Sequence, residues 1–523
     1  MIARRFILSV ALVFWLMPSL GTQAASLEGK KPNIIFILTD DQGYGDLSVH
    51  GNPVLKTPNL DKMHAESVRF TNWHNSPTCA PTRSALLTGR HEFRNGITHT
   101  ILERERLRLD SVTLAQVLQK AGYATGIFGK WHLGDEEAYR PDKRGFEETF
   151  IHGAGGIGQS YPGSCGDAPG NAYFDPAILH NGTFEETKGY CTDVFFEQAT
   201  KWIETKKGQK EKPFLCWLST NAPHGPYIAK PEDKALYDGK TPNEAAANFF
   251  GMLHNIDMNV GKLFAKLDEW GLAEDTLVIF MNDNGGTAGG AVFNAGMRGQ
   301  KGSPWIGGVH AISFWRWKGT LKPADCNALT AHIDFFRTLS SLGGAKLDDS
   351  LLQQSAEARN LTPLLENPAA SWEDRFLFTH VGRWPKGTSP DAAKLNNAAV
   401  RNTQYTLVSE TARGPKAPKD AEPKWQLFDV IADPSQKNDI AASHPEVVKK
   451  LSDTYDAWWT SLKGQYDINE NAIGPKLNPF AELYWKQFGG GPTAEDYERM
   501  DPEKAKTFEA SRQRQAAGKR ATD

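Results

Sequence analysis

Four short apolar runs in the first part of the chain share one design. Each is rich in β-branched or aromatic residues and stops abruptly at polar ones. Asn33–Leu38 (NIIFIL) runs into Thr39-Asp40-Asp41, and Tyr123–Phe128 into Gly129-Lys130-Trp131-His132. Pro213–Leu218 (PFLCWL) runs into Ser219-Thr220-Asn221-Ala222-Pro223-His224, and Thr276–Met281 (TLVIFM) into Asn282-Asp283-Asn284-Gly285-Gly286. Runs of this length and content predict buried strands. Helical patterns lie between them. Thr57-Pro58 is a cap-plus-proline start for a helix over Asn59–Ser67. Thr113–Ala121 and Asp193–Thr205 are amphipathic, and Asn243–Trp270 is the longest helical pattern. Strands alternating with helices predict a mainly parallel sheet covered on both faces.

Open α/β sheets bind ligands in a crevice beyond the carboxyl ends of their strands. The polar residues after one strand mean only that its loop is solvated. Four strands that each deliver a charged or metal-competent group argue for convergence. Asp40, Asp41, Lys130, His132, His224, Asp283 and Asn284 are therefore expected at one site.

From about Arg375 the texture changes. Arg375–His380, Ala398–Leu407 and Trp425–Val430 read as strands, Asp429–Ile440 as a turn-rich stretch, and Pro445–Leu462 as a helix. Strands followed by one helix predict a smaller α+β subdomain with an antiparallel sheet. The expected organisation is a signal peptide over 1–24, a catalytic domain over 28–370, the α+β subdomain over 371–500 and a charged tail over 501–523. The leader has Arg4 and Arg5, the apolar run Phe6–Leu20 and a small-residue end at Thr22-Gln23-Ala24. That pattern predicts export to the periplasm or the medium, with no stable membrane insertion after cleavage; an uncleaved anchor is the alternative.

The 523 residues carry 59 Lys+Arg against 62 Asp+Glu, a formal net charge of −3. Such a balance excludes a general nucleic-acid binder, though not a local basic pocket for an anion. The 40% hydrophobic fraction is ordinary globular usage. An exported chain with 5 cysteines keeps at least one unpaired. Cys165 and Cys191 flank a Gly-rich stretch and could pair; Cys216, inside an apolar run, reads as a buried thiol.

Cys79 is the more informative one. Cys79-Ala80-Pro81-Thr82-Arg83 opens a helical run that ends at Gly89-Arg90. Pro81 suits a first helical turn and Gly89 a C-terminal cap. Cys79 is thus expected at a helix N-terminus, where the dipole and free N–H groups favour negative charge, with Arg83 one turn on. Locally, a small buried Cys near a helix start fits equally well.

The Cys-x-Pro-x-Arg stretch with its Thr-Gly-Arg ending resembles the signature of the type I sulfatases, of the alkaline-phosphatase-like superfamily. The resemblance extends from about Lys31 to Gly308. Asn33–Asp41 resembles the family's first strand and Asp pair, Gly129–Gly134 its Gly-Lys-Trp-His segment, and Ala222-Pro223-His224 its later catalytic His. Asp283-Asn284-Gly285 resembles its second metal pair, Lys301 its second catalytic Lys, and Gln426–Asp439 a stretch of its C-terminal domain. One departure stands out: Ile306 occupies the place of an acid in the family's Glu-Gly-Gly segment.

The resemblance implies a large, mixed and mainly parallel sheet flanked by helices, and hydrolysis of sulfate esters. It implies that a formylglycine-generating maturation enzyme oxidises Cys79 to an aldehyde, hydrated to a gem-diol whose hydroxyl attacks sulfur. His224 and Lys301 would then help protonate the leaving oxygen, His132 would assist collapse of the intermediate, and Arg83 and Lys130 would hold nucleophile and sulfate oxygens. Asp40, Asp41, Asp283 and Asn284 are hard oxygen ligands that suit one Ca²⁺ per chain, with Mg²⁺ the alternative; Cys79, once oxidised, would join them. His152, His310, His380 and Arg383 are further candidates for substrate contact. The expected substrate is a sulfated glycan, with aryl sulfates also accepted. The alternatives are a phosphonate or phosphodiester hydrolase of the same superfamily, or a non-catalytic sulfated-glycan binder. A two-zinc phosphatase would want more His ligands and a Ser or Thr nucleophile.

Overall fold

The computed structural model describes residues 26–161, 163–209, 211–385, 388–411, 423–466 and 477–499. The leader and the charged tail lie outside them. No helix among the described residues is long and apolar enough to cross a membrane.

The four apolar runs form the centre of a ten-stranded sheet. Thr276–Asn282, Asn33–Thr39, Phe214–Ser219 and Ala124–Lys130 lie side by side in that order, all parallel. Each of these strands is buried along nearly its whole length, which is why the runs are continuously apolar rather than alternating. Glu148–His152 continues the parallel set, and the hairpin of Ala177–His180 and Thr183–Glu186 closes that side. On the other side Ser313–Trp317 runs antiparallel to Thr276–Asn282 and is followed by Val68–Phe70 and Ala324–Cys326.

Helices cover both faces, and two apolar clusters fill the space beneath them. One face carries Glu244–Glu269 and Cys191–Glu204; Pro58–Ala65 packs beside the former. The other carries Cys79–Thr88, Leu114–Lys120 and Asp334–Leu342. Thr113 and Gln116 form a reciprocal capping box at the start of Leu114–Lys120, and Asn243 caps Glu244–Glu269.

The smaller C-terminal sheet is antiparallel, in the order Leu377–His380, Ala398–Arg401, Tyr405–Ser409, Trp425–Asp429. The single strand expected over Ala398–Leu407 is in fact two. Asn402 Oδ1 accepts the amides of Gln404 and Tyr405 and turns the chain there. The Pro445–Ser461 helix packs Tyr455, Trp458 and Trp459 onto this sheet. Beyond it, Pro479–Phe488 leaves the small sheet and returns to the large one. Phe480 joins the core of the large sheet against Phe184, and Gln487 pairs with the Phe184 backbone. All five cysteines are free and buried, so the pairing of Cys165 with Cys191 is not made. Cys165 instead faces the Thr100 carbonyl and Cys191 the Asn221 side chain.

Candidate active site

The carboxyl ends of the four central strands meet at one buried cluster. Asp40 and Asp41 follow the first strand, Asp41 in a left-handed conformation at φ 69°. That turn points its amide at Asp283 Oδ1, 3.1 Å away, and its Oδ1 at Asn284 Nδ2, 3.0 Å away. Lys130 ends its strand with a short ion pair to Asp40. Gly129 allows this: at φ 104° it lies against the Ser219 carbonyl, which any Cβ would overlap.

The Cys79–Thr88 helix enters the cluster N-terminus first, and every residue of it is buried. Arg83 reaches across to Asp283 at 2.8 Å, to Asp40 at 3.9 Å, and to the Ser219 hydroxyl. One guanidinium thus ties the helix to three strand ends. Cys79, Asp40, Asp41 and His224 each offer a ligand atom within 4.8 Å of the others. Lys301 arrives from a distant loop and sits 2.5 Å from Asp41 Oδ1.

Three carboxylates in one buried spot need positive charge. Lys130, Arg83 and Lys301 supply part of it, yet Asp40 Oδ1 and Asn284 Oδ1 remain buried without a hydrogen-bond partner. Orphaned hard oxygens at this point fit a divalent cation. Burial and the charge of Asp40 push the Asp283 carboxyl up, against Arg83 and Lys130. Burial acts the same way on Asp41, but the Lys301 charge and the Asn284 hydrogen bond outweigh it and hold that carboxyl down.

The two imidazoles have fixed tautomers. His132 Nε2 lies 2.7 Å from the Thr100 carbonyl, and His224 Nδ1 lies 2.7 Å from that of Gly225. A carbonyl only accepts, so these nitrogens carry the protons. Nδ1 of His132 and Nε2 of His224 are left as lone pairs. Burial, reinforced by nearby lysines, keeps both rings neutral, His224 down to about 3. Burial also raises the Cys79 thiol, despite Lys130 and Lys301, so an unmodified Cys79 is no thiolate.

Above Cys79 opens a cleft of about 580 Å³. Cys79, His132, His224 and Lys301 form its floor. His99, Thr100, Gln159 and Tyr161 wall one side; Arg383, Trp384, Asn396, Asn397 and Thr411 of the smaller unit wall the other.

A family model described as Sulfatase matches residues 32–345. The chain belongs to the sulfatase family. This sulfatase is 29% identical to arylsulfatase J of Mus musculus over 501 residues, 88% of this chain and 81% of that one. It is 28% identical to the N-acetylgalactosamine-6-O-sulfatase of Bacteroides thetaiotaomicron over 503 residues, 82% of this chain and 93% of that one. The crystal structure of Ps i-CgsB superposes with a TM-score of 0.71 at 25% identity, over 91% of this chain and 99% of that one. Phosphonate monoester hydrolase of Agrobacterium radiobacter shares the fold at a TM-score of 0.55 and 19% identity, over 83% of this chain and 96% of that one. The enzyme is accordingly a sulfuric ester hydrolase with an alkaline-phosphatase-like fold.

Of the four residues named for substrate contact, the structure brings only Arg383 to the cleft. His152 ends its strand beside Lys130, buried and stacked on Phe195. His310 stacks on Tyr44 and bonds the Thr71 carbonyl. His380 sits in the aromatic core of the small unit, between the Ala393 carbonyl and the Gly382 amide. Polarity in the sequence put these three forward, but burial and local partners claim them. His99, Gln159, Tyr161, Trp384 and Asn397 were not named from the sequence. They lie on loops with no strand-end signal, and only the meeting of the two units shows where they point.

Proposed function

We propose that this sulfatase is exported and removes sulfate from sulfated carbohydrate, with the gem-diol of formylglycine made from Cys79 as nucleophile. The observation that carries the reading is the position of Cys79. It stands at a helix N-terminus on the cleft floor, with Lys301, His132 and His224 beside it and the carboxylate cluster beneath. A neutral, buried thiol is a poor nucleophile, so the site calls for a different group there.

In this reading the gem-diol oxygen bonds to sulfur as the ester S–O bond breaks. Lys301, held charged by Asp41, gives the departing alkoxide its proton. His224, whose Nε2 is bare, takes the proton that the attacking hydroxyl gives up, and can pass one to the leaving oxygen only after accepting it. The bare Nδ1 of His132 then takes the proton of the second hydroxyl. The carbonyl re-forms, the C–O bond to the sulfate group breaks, and sulfate leaves. Water rehydrates the aldehyde. Arg83 and Lys130 keep the strand ends and helix start in register and add positive charge below the sulfate. Asp40, Asp41, Asp283 and Asn284 would hold one Ca²⁺, or Mg²⁺ in its place, whose charge offsets that developing on the sulfate oxygens.

The cleft suits a sugar. Tyr161 and Trp384 offer aromatic surface, while Gln159, Asn396 and Asn397 offer amides for hydroxyls. Two relatives support the substrate class: the N-acetylgalactosamine-6-O-sulfatase, and Ps i-CgsB, whose structure in complex with k-i-k-neocarrahexaose matches at a TM-score of 0.70. The catalytic domain over 28–370 would supply the chemistry and the unit over 371–500 the outer wall.

Producing the chain with a formylglycine-generating partner tests the reading. The Cys79 peptide should carry the mass of the aldehyde, and sulfated glycans should release sulfate faster than phosphate or phosphonate esters are cleaved. An unmodified Cys79 with no sulfate release would overturn it.

A further inference from the structure

Arg401 ends a strand of the small sheet and is 3% exposed. Its Nη1 donates to Nδ1 of His74 at 3.0 Å. Its Nε and Nη2 are buried without a partner. No acid among the described residues pairs with it. Asp334 holds Arg375 at 2.7 Å, and Glu357 holds Arg94 at 2.8 Å. Glu92 lies 3.6 Å from His91 and 3.8 Å from His332. Burial acts on Arg401 with no compensating charge, holding it down to about 10, still cationic at neutral pH.

Arg401 borders a cavity of about 50 Å³ between the two units, shared with His74, His91 and His332. The histidines bring no negative charge. His74 gives its Nε2 proton to Asn72 Oδ1 at 2.8 Å, and His332 gives its Nδ1 proton to the His74 carbonyl at 3.1 Å. His91 accepts the Phe93 amide at Nδ1, which puts its proton on Nε2, a second buried donor with no partner. Glu357 also lines the cavity, but its carboxylate is held by Arg94, and among the described residues the buried Arg401 guanidinium has no counter-charge of its own.

We propose that this cavity binds a halide-sized monovalent anion, such as chloride, between Arg401 and His91. Water would satisfy the free N–H groups but leave the charge unpaired. The volume admits a chloride with a water or two, since one water needs about 10–15 Å³ of such space. The site clamps the small sheet to the segment that carries the nucleophile. His74 ends the Trp73–His74 strand, and the loop after it leads directly into Cys79. His74 also bridges His310, just beyond the Lys301 loop.

Crystals of the full chain grown in bromide test the site directly. An anomalous peak beside Arg401 Nε and Nη2 is expected; ordered water alone there would overturn the proposal. The melting temperature, followed against chloride at ionic strength fixed with gluconate, should rise by roughly 2–4 °C and saturate at millimolar halide. A peak without saturation marks binding at crystal concentration only and overturns it, as does sulfate acting as well as chloride. Arg401→Gln should abolish the halide-dependent rise. If that variant does not fold, the wild-type crystal and titration decide the matter.

Discussion

Lys301 Nζ lies 2.5 Å from Asp41 Oδ1, joining a far loop to the first strand end at the edge of the cleft. The Lys301 loop is itself gripped by the small unit. Gln436 Oε1 accepts the Ile306 amide, and Trp305 packs on Phe428. Ile306, which stands where the family often has an acid, thus uses its backbone for the contact. Burial disfavours the ammonium, but Asp41 outweighs that and keeps it charged.

Lys301→Ala should therefore lower kcat by roughly 10²–10⁴-fold, the usual worth of a positioned proton donor. Lys301→Arg should recover part of the loss in charge but little of the proton transfer. Steady-state rates on an aryl sulfate and on one with a more acidic leaving alcohol check this. The more acidic alcohol should suffer less.

Cys79→Ala should abolish sulfate release, by at least roughly 10³-fold, without unfolding the protein. The side chain is small and buried, and its loss leaves the helix and its Gly89 cap intact. Circular dichroism and a melting curve beside the activity assay separate the two effects.

Removing divalent metal with a chelator should lower both activity and melting temperature, and added Ca²⁺ should restore them. Three buried carboxylates then repel one another with only Lys130, Arg83 and Lys301 to answer. Elemental analysis of the active protein should give close to one ion per chain. A chelated protein as stable and active as the untreated one would contradict the ligand set.

Arg383→Ala should raise KM for a sulfated oligosaccharide several-fold while changing turnover of a small aryl sulfate little. Arg383 lies on the outer wall, bonded at 2.9 Å to Thr100. Equal losses on both substrates would place it instead among the groups that act on the sulfate.

Asp135 gives a pH-dependent prediction. It is buried, accepts the Gly166 amide and the Asn478 side chain on one oxygen, and leaves the other without a partner. Burial raises its pKa to about 8, from an ordinary value of 3.8. Between those values the folded chain keeps a proton that the unfolded chain has lost, so stability falls as pH rises through that window. Asp135→Asn removes the penalty. Its melting temperature should exceed that of the wild type at pH 8.5 and converge on it toward pH 4.

The central sheet was legible because each parallel strand is buried on both faces, so four apolar runs stood out and their polar ends marked the crevice. Asp40, Asp41, Lys130, His132, His224, Asp283 and Asn284 could be grouped for that reason alone. The Cys79 motif could be read because proline and glycine punctuate a helix locally. The edge strand Ala324–Cys326 and its neighbour Val68–Phe70 were not legible, since three residues carry no period. Which polar residues serve the cleft was not legible either. His152, His310 and His380 are as polar as His132 and His224, yet they pack against Phe195, Tyr44 and Trp459 away from the cleft. The outer wall, from His99 to Trp384 and Asn397, exists only where two units far apart in sequence meet. Local periodicity and strand-end chemistry are properties of short segments, and so the sequence by itself determined them. A shared cavity, a buried guanidinium facing it and the partners of each imidazole depend on long-range packing, and only the tertiary structure decided those.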